Sequence, residues 1–185
     1  MANKIKYGIR NVYYAVATEG TGGVLSYASP VAIPGAVNLS LSAEGDSTPF
    51  YADDVIYFQS TANNGYSGTL EVALIPDSFK TSVLQETTDT AGVYIEAANK
   101  TPKEFALLFE FQGDDKATRH AMFRCTCSRP DVTGATKEAS IEPQTETLNI
   151  TAMPRLNDYI VKASCPATAT TAYSGWFSAV YTASV

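Results

Sequence analysis

The chain has one histidine, His120, flanked by Arg119 and Ala121. To act as a general base it would need a nucleophile beside it and an acid to orient it. The nearest approach to a nucleophile elbow is Gly65-Tyr66-Ser67-Gly68, one residue short of G-x-S-x-G. His120 therefore reads as a structural or surface residue. Cys125 and Cys127 stand two apart in a stretch of strand character, so their thiols share a face. Structural zinc takes four ligands, usually from wider-spaced cysteine pairs. Here the spacing is too short and no second pair exists. Adding Cys165 gives three cysteines, which do not make an even disulfide framework. All three read as buried free thiols. Asp53-Asp54 and Asp114-Asp115 could offer oxygen ligands to calcium, but neither lies in an EF-hand loop. Both read as solvated turns. No P-loop or G-x-G-x-x-G is present. The expectation is a chain that is not an enzyme, with no catalytic, cofactor-binding or metal-binding residues and no cofactor.

The composition points away from chemistry and toward assembly. The 185 residues carry a net charge of -6, yet only 17% are charged. Soluble domains usually reach about 25%. No apolar run approaches the length of a membrane helix. Ser, Thr, Ala, Asn and Tyr must cover much of the surface, and such a surface is easier to bury against another subunit. No Lys or Arg occurs from residue 11 to residue 79, while Glu19, Glu44, Asp46, Asp53, Asp54, Glu71 and Asp77 fall there. A segment without cations cannot neutralise phosphates, so nucleic-acid binding is excluded for it. The start, MANKIKYGIR, has no apolar stretch long enough for a signal peptide. A protein made in a cytoplasm is expected.

Period-2 alternation dominates and predicts strands. These cover residues 11–17, 24–27, 36–44, 67–75, 93–96, 105–112, 117–127 and 144–152, with a further candidate at 159–161. Gly113-Asp114-Asp115-Lys116 is the turn of a hairpin. One helix is expected, DSFKTSVLQ, with Asp77 as its N-cap and Phe79, Val83 and Leu84 on one stripe. Residues 43–66 form a long excursion that is rich in aromatics, which argues against disorder. It is either a hairpin folded on the domain or an arm that docks on a neighbour. Residues 164–185 read as a last strand or an extended C-terminal arm. The sum is a single domain over 1–185, mostly β, an antiparallel β-sandwich or barrel with one short α-helix.

Several stretches, in order, carry a resemblance. They are YGIRNVYYA, VAIPGAVNLSLSAEGD, PFYADDVIYF, NNGYSGTLEVALIPDSF, FALLFEFQGDDKATRHAMFRCTCSRP and TKEASIEPQTETLNITAMP. Together, over roughly residues 1–155, the chain resembles the major tail proteins, or tail tube proteins, of long non-contractile-tailed bacteriophages and prophages of Gram-positive hosts. The resemblance implies β-sandwich subunits that form hexameric rings and stack into a hollow tube for DNA. It implies an inner wall built from strands of all six subunits, and a long loop that reaches the adjacent ring. Its partners would be further copies of itself, a tape-measure protein, and tail-tip and terminator proteins. DNA would pass without specific binding and no membrane would be involved. The location would be the virion tail, after assembly in the host cytoplasm.

The resemblance places the inter-ring loop at Phe50, Tyr51, Asp53, Asp54, Ile56, Tyr57 and Phe58. The inner barrel is expected to use residues 36–44, 67–75, 102–112 and 117–127. Its polar face would line the lumen with Asn38, Ser40, Ser42, Glu44, Glu71, Glu104 and Glu110. His120 and Arg124 would be basic exceptions on that face. A second reading comes from the eleven tyrosines. Aromatic faces on a β-sandwich can stack on sugars, which would make this a carbohydrate-binding or adhesive module of a phage tail or cell surface.

Overall fold

The computed structural model describes residues 3–136 and 143–182. The first strand, β1 (Lys6–Glu19), is followed by β2 (Leu25–Tyr27), β3 (Val31–Ile33) and β4 (Ala36–Glu44). A ribbon of β5 (Ser47–Ala52) and β6 (Val55–Thr61) leads into β7 (Gly65–Val72). Helix α1 (Asp77–Ser82) and the short strands β8 (Thr87–Thr88) and β9 (Tyr94–Ile95) come next. Then follow β10 (Phe105–Gly113), β11 (Thr118–Cys127), β12 (Glu146–Met153), β13 (Lys162–Cys165) and α2 (Thr170–Gly175).

The fold is mostly β and antiparallel, with two short helices. The main sheet runs β2-β1-β10-β11-β12-β7-β4. Two strands sit off this path: β13 on β11 and β3 on β1. β3 and β4 behave as one strand broken at Pro34-Gly35. The first piece pairs with β1 and the second with β7, so the ladder curls back toward its start. Gly35 makes that bend possible. Its φ is +77°, and a Cβ there would lie 2.8 Å from the Ala73 Cβ.

The concave face of the sheet holds the main core. Val12, Tyr14, Leu70, Val72, Phe105, Leu107, Phe109, Leu148 and Ile150 meet there. Helix α1 closes one end of it, and Phe79 sits edge-on to Tyr14 and Phe105 at 5.0 and 5.5 Å. The N-cap is Pro76, whose carbonyl accepts the Phe79 amide at 2.9 Å. Asp77 instead occupies the first turn, 3.7 Å from the Lys80 ammonium. A carboxylate there still favours the helix dipole.

A second core lies on the opposite face of β1, β10 and β11. Ala15, Ala106, Leu108, Ala121, Phe123 and Cys165 are covered by Trp176. The C-terminal segment therefore opens in the last strand, β13, and beyond it is not an extended arm over its described length. It folds back: the Trp176 indole donates to the His120 carbonyl at 3.2 Å, and Tyr173 donates to the Ala117 carbonyl at 3.1 Å. Phe177 stacks on Tyr13 at 4.9 Å. Residues 183–185 of the expected arm lie outside the described residues. The strand expected at 159–161 is irregular backbone that follows a turn at 156–158, with Tyr159 at φ +59°. The Phe123 amide of β11 bonds the Val161 carbonyl at 3.1 Å, and the ladder with β11 runs from Lys162. No helix among the described residues is long and apolar enough to cross a membrane.

Candidate assembly surfaces

The excursion at 43–66 is a two-stranded ribbon that projects from the β4–β7 pair. Its strands pair with each other, Ser47 opposite Thr61 through Ala52 opposite Val55. Asp53 and Asp54 form the two-residue connection, both left-handed at φ +52° and +61°. That is the turn geometry whose twist suits a tight hairpin, and Asp tolerates it better than most residues. Phe50, Tyr51, Val55, Ile56, Tyr57 and Phe58 are each more than half exposed, Tyr57 reaching 74%. The ribbon therefore buries almost nothing of its own. An isolated two-stranded hairpin is only marginally stable in water, and large contiguous apolar exposure marks an interaction surface. Of the seven residues assigned to this loop, the structure brings all together on one ribbon. Val55 belongs with them; its place between two acids and an aromatic run was the signal for it.

The second surface is a polar grid on the convex face of β4, β7 and β12. Asn38, Ser40 and Ser42 stand opposite Glu71, Thr69 and Ser67. These in turn stand opposite Thr147, Asn149 and Thr151. Directly opposed residues share a face. The grid thus holds nine residues with one carboxylate and no cation. Glu71 is held by the Thr145 hydroxyl, which donates at 2.6 Å. Glu44 is exposed at the edge of the grid and accepts from the Ser67 hydroxyl. Thr147, Asn149 and Thr151 were missed in the sequence assignment of this face. The strand order explains it: β12 lies between β11 and β7, so the expected four-strand wall is interrupted by a fifth strand. The alternation in TETLNITAM was the signal, because Leu148, Ile150 and Ala152 are its buried partners.

Glu110 does not belong to this surface. It is 1% exposed and sits under the C-terminal segment. Arg10 and Arg119 donate to its two oxygens at 2.7 and 3.1 Å, and the Asn11 amide donates at 2.8 Å. Asn11 reaches it because β1 bulges there, with Asn11 at φ +50°. Arg119 lies 3.8 Å from the centroid of the Tyr173 ring. Glu110 is a buried ionic post, which is why an acid occurs inside an apolar strand. Glu104 is half-buried and grips Arg124 through two oxygens, with the closest contact at 2.8 Å. It too is committed within the chain.

His120 does not share the polar face. It stacks on Phe109 at 5.3 Å, at the open end of the concave core. Burial, then the nearby Lys162 and Lys6 charges, hold its pKa below the ordinary value. The three thiols are buried. Burial pushes Cys127 up to about 12 and Cys125 higher still, so neither supplies a thiolate at neutral pH.

Among the described residues, no group of three or more His, Cys, Asp or Glu side chains is placed to hold a metal ion. A surface depression of about 690 Å³ is lined by Asn3, Asp115, Lys116, Thr118, Pro166, Ala167 and Thr168. It offers no aromatic face for a sugar.

Fold and surfaces together define a class: an antiparallel β domain with a projecting apolar ribbon and a cation-free polar face. Compared with protein-family models and with curated proteins, the chain matches none.

Proposed function

We propose that the chain is a structural subunit that self-assembles into stacked rings around a channel, as a phage tail tube does. The observation that carries this reading is the β5–β6 ribbon. It exposes six large apolar side chains on a two-stranded element that has no core of its own. Such an element needs a partner to cover it, and a ring-to-ring contact supplies one. Two further features agree. Among the described residues β4 is paired on one edge only, leaving a row of backbone groups that a neighbouring subunit's strand can complete. The grid around Ser40 and Thr69 carries hydroxyls, amides and one carboxylate, a wall that offers phosphates no cation to neutralise them.

In this reading Asn38, Ser40, Ser42, Glu44 and Glu71 line the channel, joined by Thr69, Thr147, Asn149 and Thr151. DNA slides past them unbound. Further copies, a tape-measure protein and tail-tip and terminator proteins are the partners, and the virion tail is the location. The test is sedimentation of a variant in which residues 47–61 are replaced by a short turn. Loss of higher-order assembly with retention of the fold supports the reading. Assembly unchanged by the deletion refutes it.

A further inference from the structure

The ribbon's own chemistry selects the surface it docks on. Between residues 43 and 66 it carries Glu44, Asp46, Asp53 and Asp54 and no cation. Its tip is a pair of carboxylates flanked by exposed apolar side chains. The complementary surface must pair apolar side chains with ammonium groups that no carboxylate already engages.

Of the surfaces that meet that requirement, two lie toward opposite ends of the sheet. One is the β8–β9 hairpin, where Val93, Tyr94 and Ile95 are exposed. Arg129 ties the chain just beyond it by pairing with Glu96 at 2.9 Å and donating to the Ala97 carbonyl at 3.1 Å. The exposed Lys100 and Lys103 follow, and neither pairs with a carboxylate among the described residues. The other surface is the N-terminal segment, where Ile5 and Tyr7 are exposed beside Lys4 and Lys6.

Their positions in the fold separate them. The ribbon prolongs the Glu44/Gly65 end of the β4–β7 pair. The N-terminal segment lies toward that same end, where Lys6 pairs with Gly113. Residues 86–104 lie toward the other end, where β11 finishes at Cys127 and Arg129 just beyond it donates to the Ala97 carbonyl. Lys103 bonds there to the Val83 carbonyl at 2.8 Å. A tip that docks on its own end of a second copy closes a two-fold dimer. A tip that docks on the opposite end makes a heterologous contact, which repeats from copy to copy along a filament unless its rotation closes a ring.

We infer that the Asp53-Asp54 tip of one copy docks on the β8–β9 surface of a second copy, with Lys100 and Lys103 facing the two carboxylates, so that copies join head to tail. The inference rests on the tube reading for its choice of end. It adds the receptor, which that reading leaves open.

Charge reversal tests it. Asp53→Lys with Asp54→Lys weakens self-association by about tenfold or more, since like charges then face each other. Lys100→Glu with Lys103→Glu does the same. All four changes in one chain restore it, while the tip reversal combined with Lys4→Glu and Lys6→Glu does not. All sites are exposed and the tip lies outside both cores, so each variant keeps the wild-type global melting profile, checked alongside; Lys suits the left-handed turn less well than Asp, and restoration in the fourfold variant is the readout that a merely broken turn does not give. Restoration by Lys4→Glu and Lys6→Glu instead overturns the β8–β9 receptor and leaves ribbon docking standing. If neither the tip reversal nor removal of the ribbon changes association, or if the wild type associates neither alone when concentrated nor on a supplied tail-tip complex, the tube reading falls and this inference with it.

Discussion

Glu110 shows what a single buried charge demands. Removing one member of a fully buried ion pair leaves the others uncompensated, which costs about 3 kcal/mol or more. Glu110→Ala leaves the mostly buried Arg119 without its carboxylate while the half-exposed Arg10 turns to water, so the fold is expected to lose about 1–3 kcal/mol, read from denaturant unfolding. His120 makes a pH-dependent contribution. Its pKa is depressed in the folded chain, so the unfolded chain takes up a proton first as pH falls. The stability it supplies is fully present above about pH 6.5, its ordinary value, and is lost as pH falls through the depressed value. His120→Phe keeps a ring against Phe109 and removes the titration. The wild type is expected to lose stability relative to that variant below pH 6.5, compared by melting across a pH series. At this scale the sequence was partly legible. The buried thiols follow from their strand positions. The fates of Glu110 and His120 depend on a bulge at Asn11 and on a C-terminal cover, and neither has a local signature.

At the scale of elements, alternation places the long strands well, because each has one face on a core and one face elsewhere. β10 departs from this. FALLFEF is apolar on both faces and is buried on both, from Phe105 through Glu110. The run announces a second covering layer. What covers it, an Ala- and Thr-rich tail, carries little hydrophobic periodicity, so the tail reads as an arm. Trp176 is its anchor. Trp176→Ala is expected to cost about 3–5 kcal/mol, measured by unfolding, and to raise amide exchange across α2 and β13. The ribbon behaves in the opposite way. The Ala62 amide bonds the Asp46 carbonyl at 3.0 Å, so the ends of the ribbon are already adjacent. Replacing residues 47–61 by a short turn is expected to change stability by no more than about 0.5 kcal/mol, because no buried side chain is lost. The whole effect of the deletion falls on association.

For the whole molecule, the account joins three surfaces: a ribbon that needs a partner, an open strand edge, and a polar face without cations. The order of strands in the ladder was not legible in the sequence. Residues 146–153 insert between β11 and β7 through a long-range pairing that local pattern does not encode. Low charge with many Tyr, Ser and Thr residues accords with the proposed burial of these surfaces against other copies. The central claim is self-assembly around a channel. The measurement that tests it most directly is negative-stain microscopy of the concentrated protein, with its solution mass taken alongside. The account predicts rings or tubes with a central channel and a mass many times that of one chain. A protein that stays monomeric when concentrated, and that adds to no tube when a tail-tip complex is supplied, contradicts it.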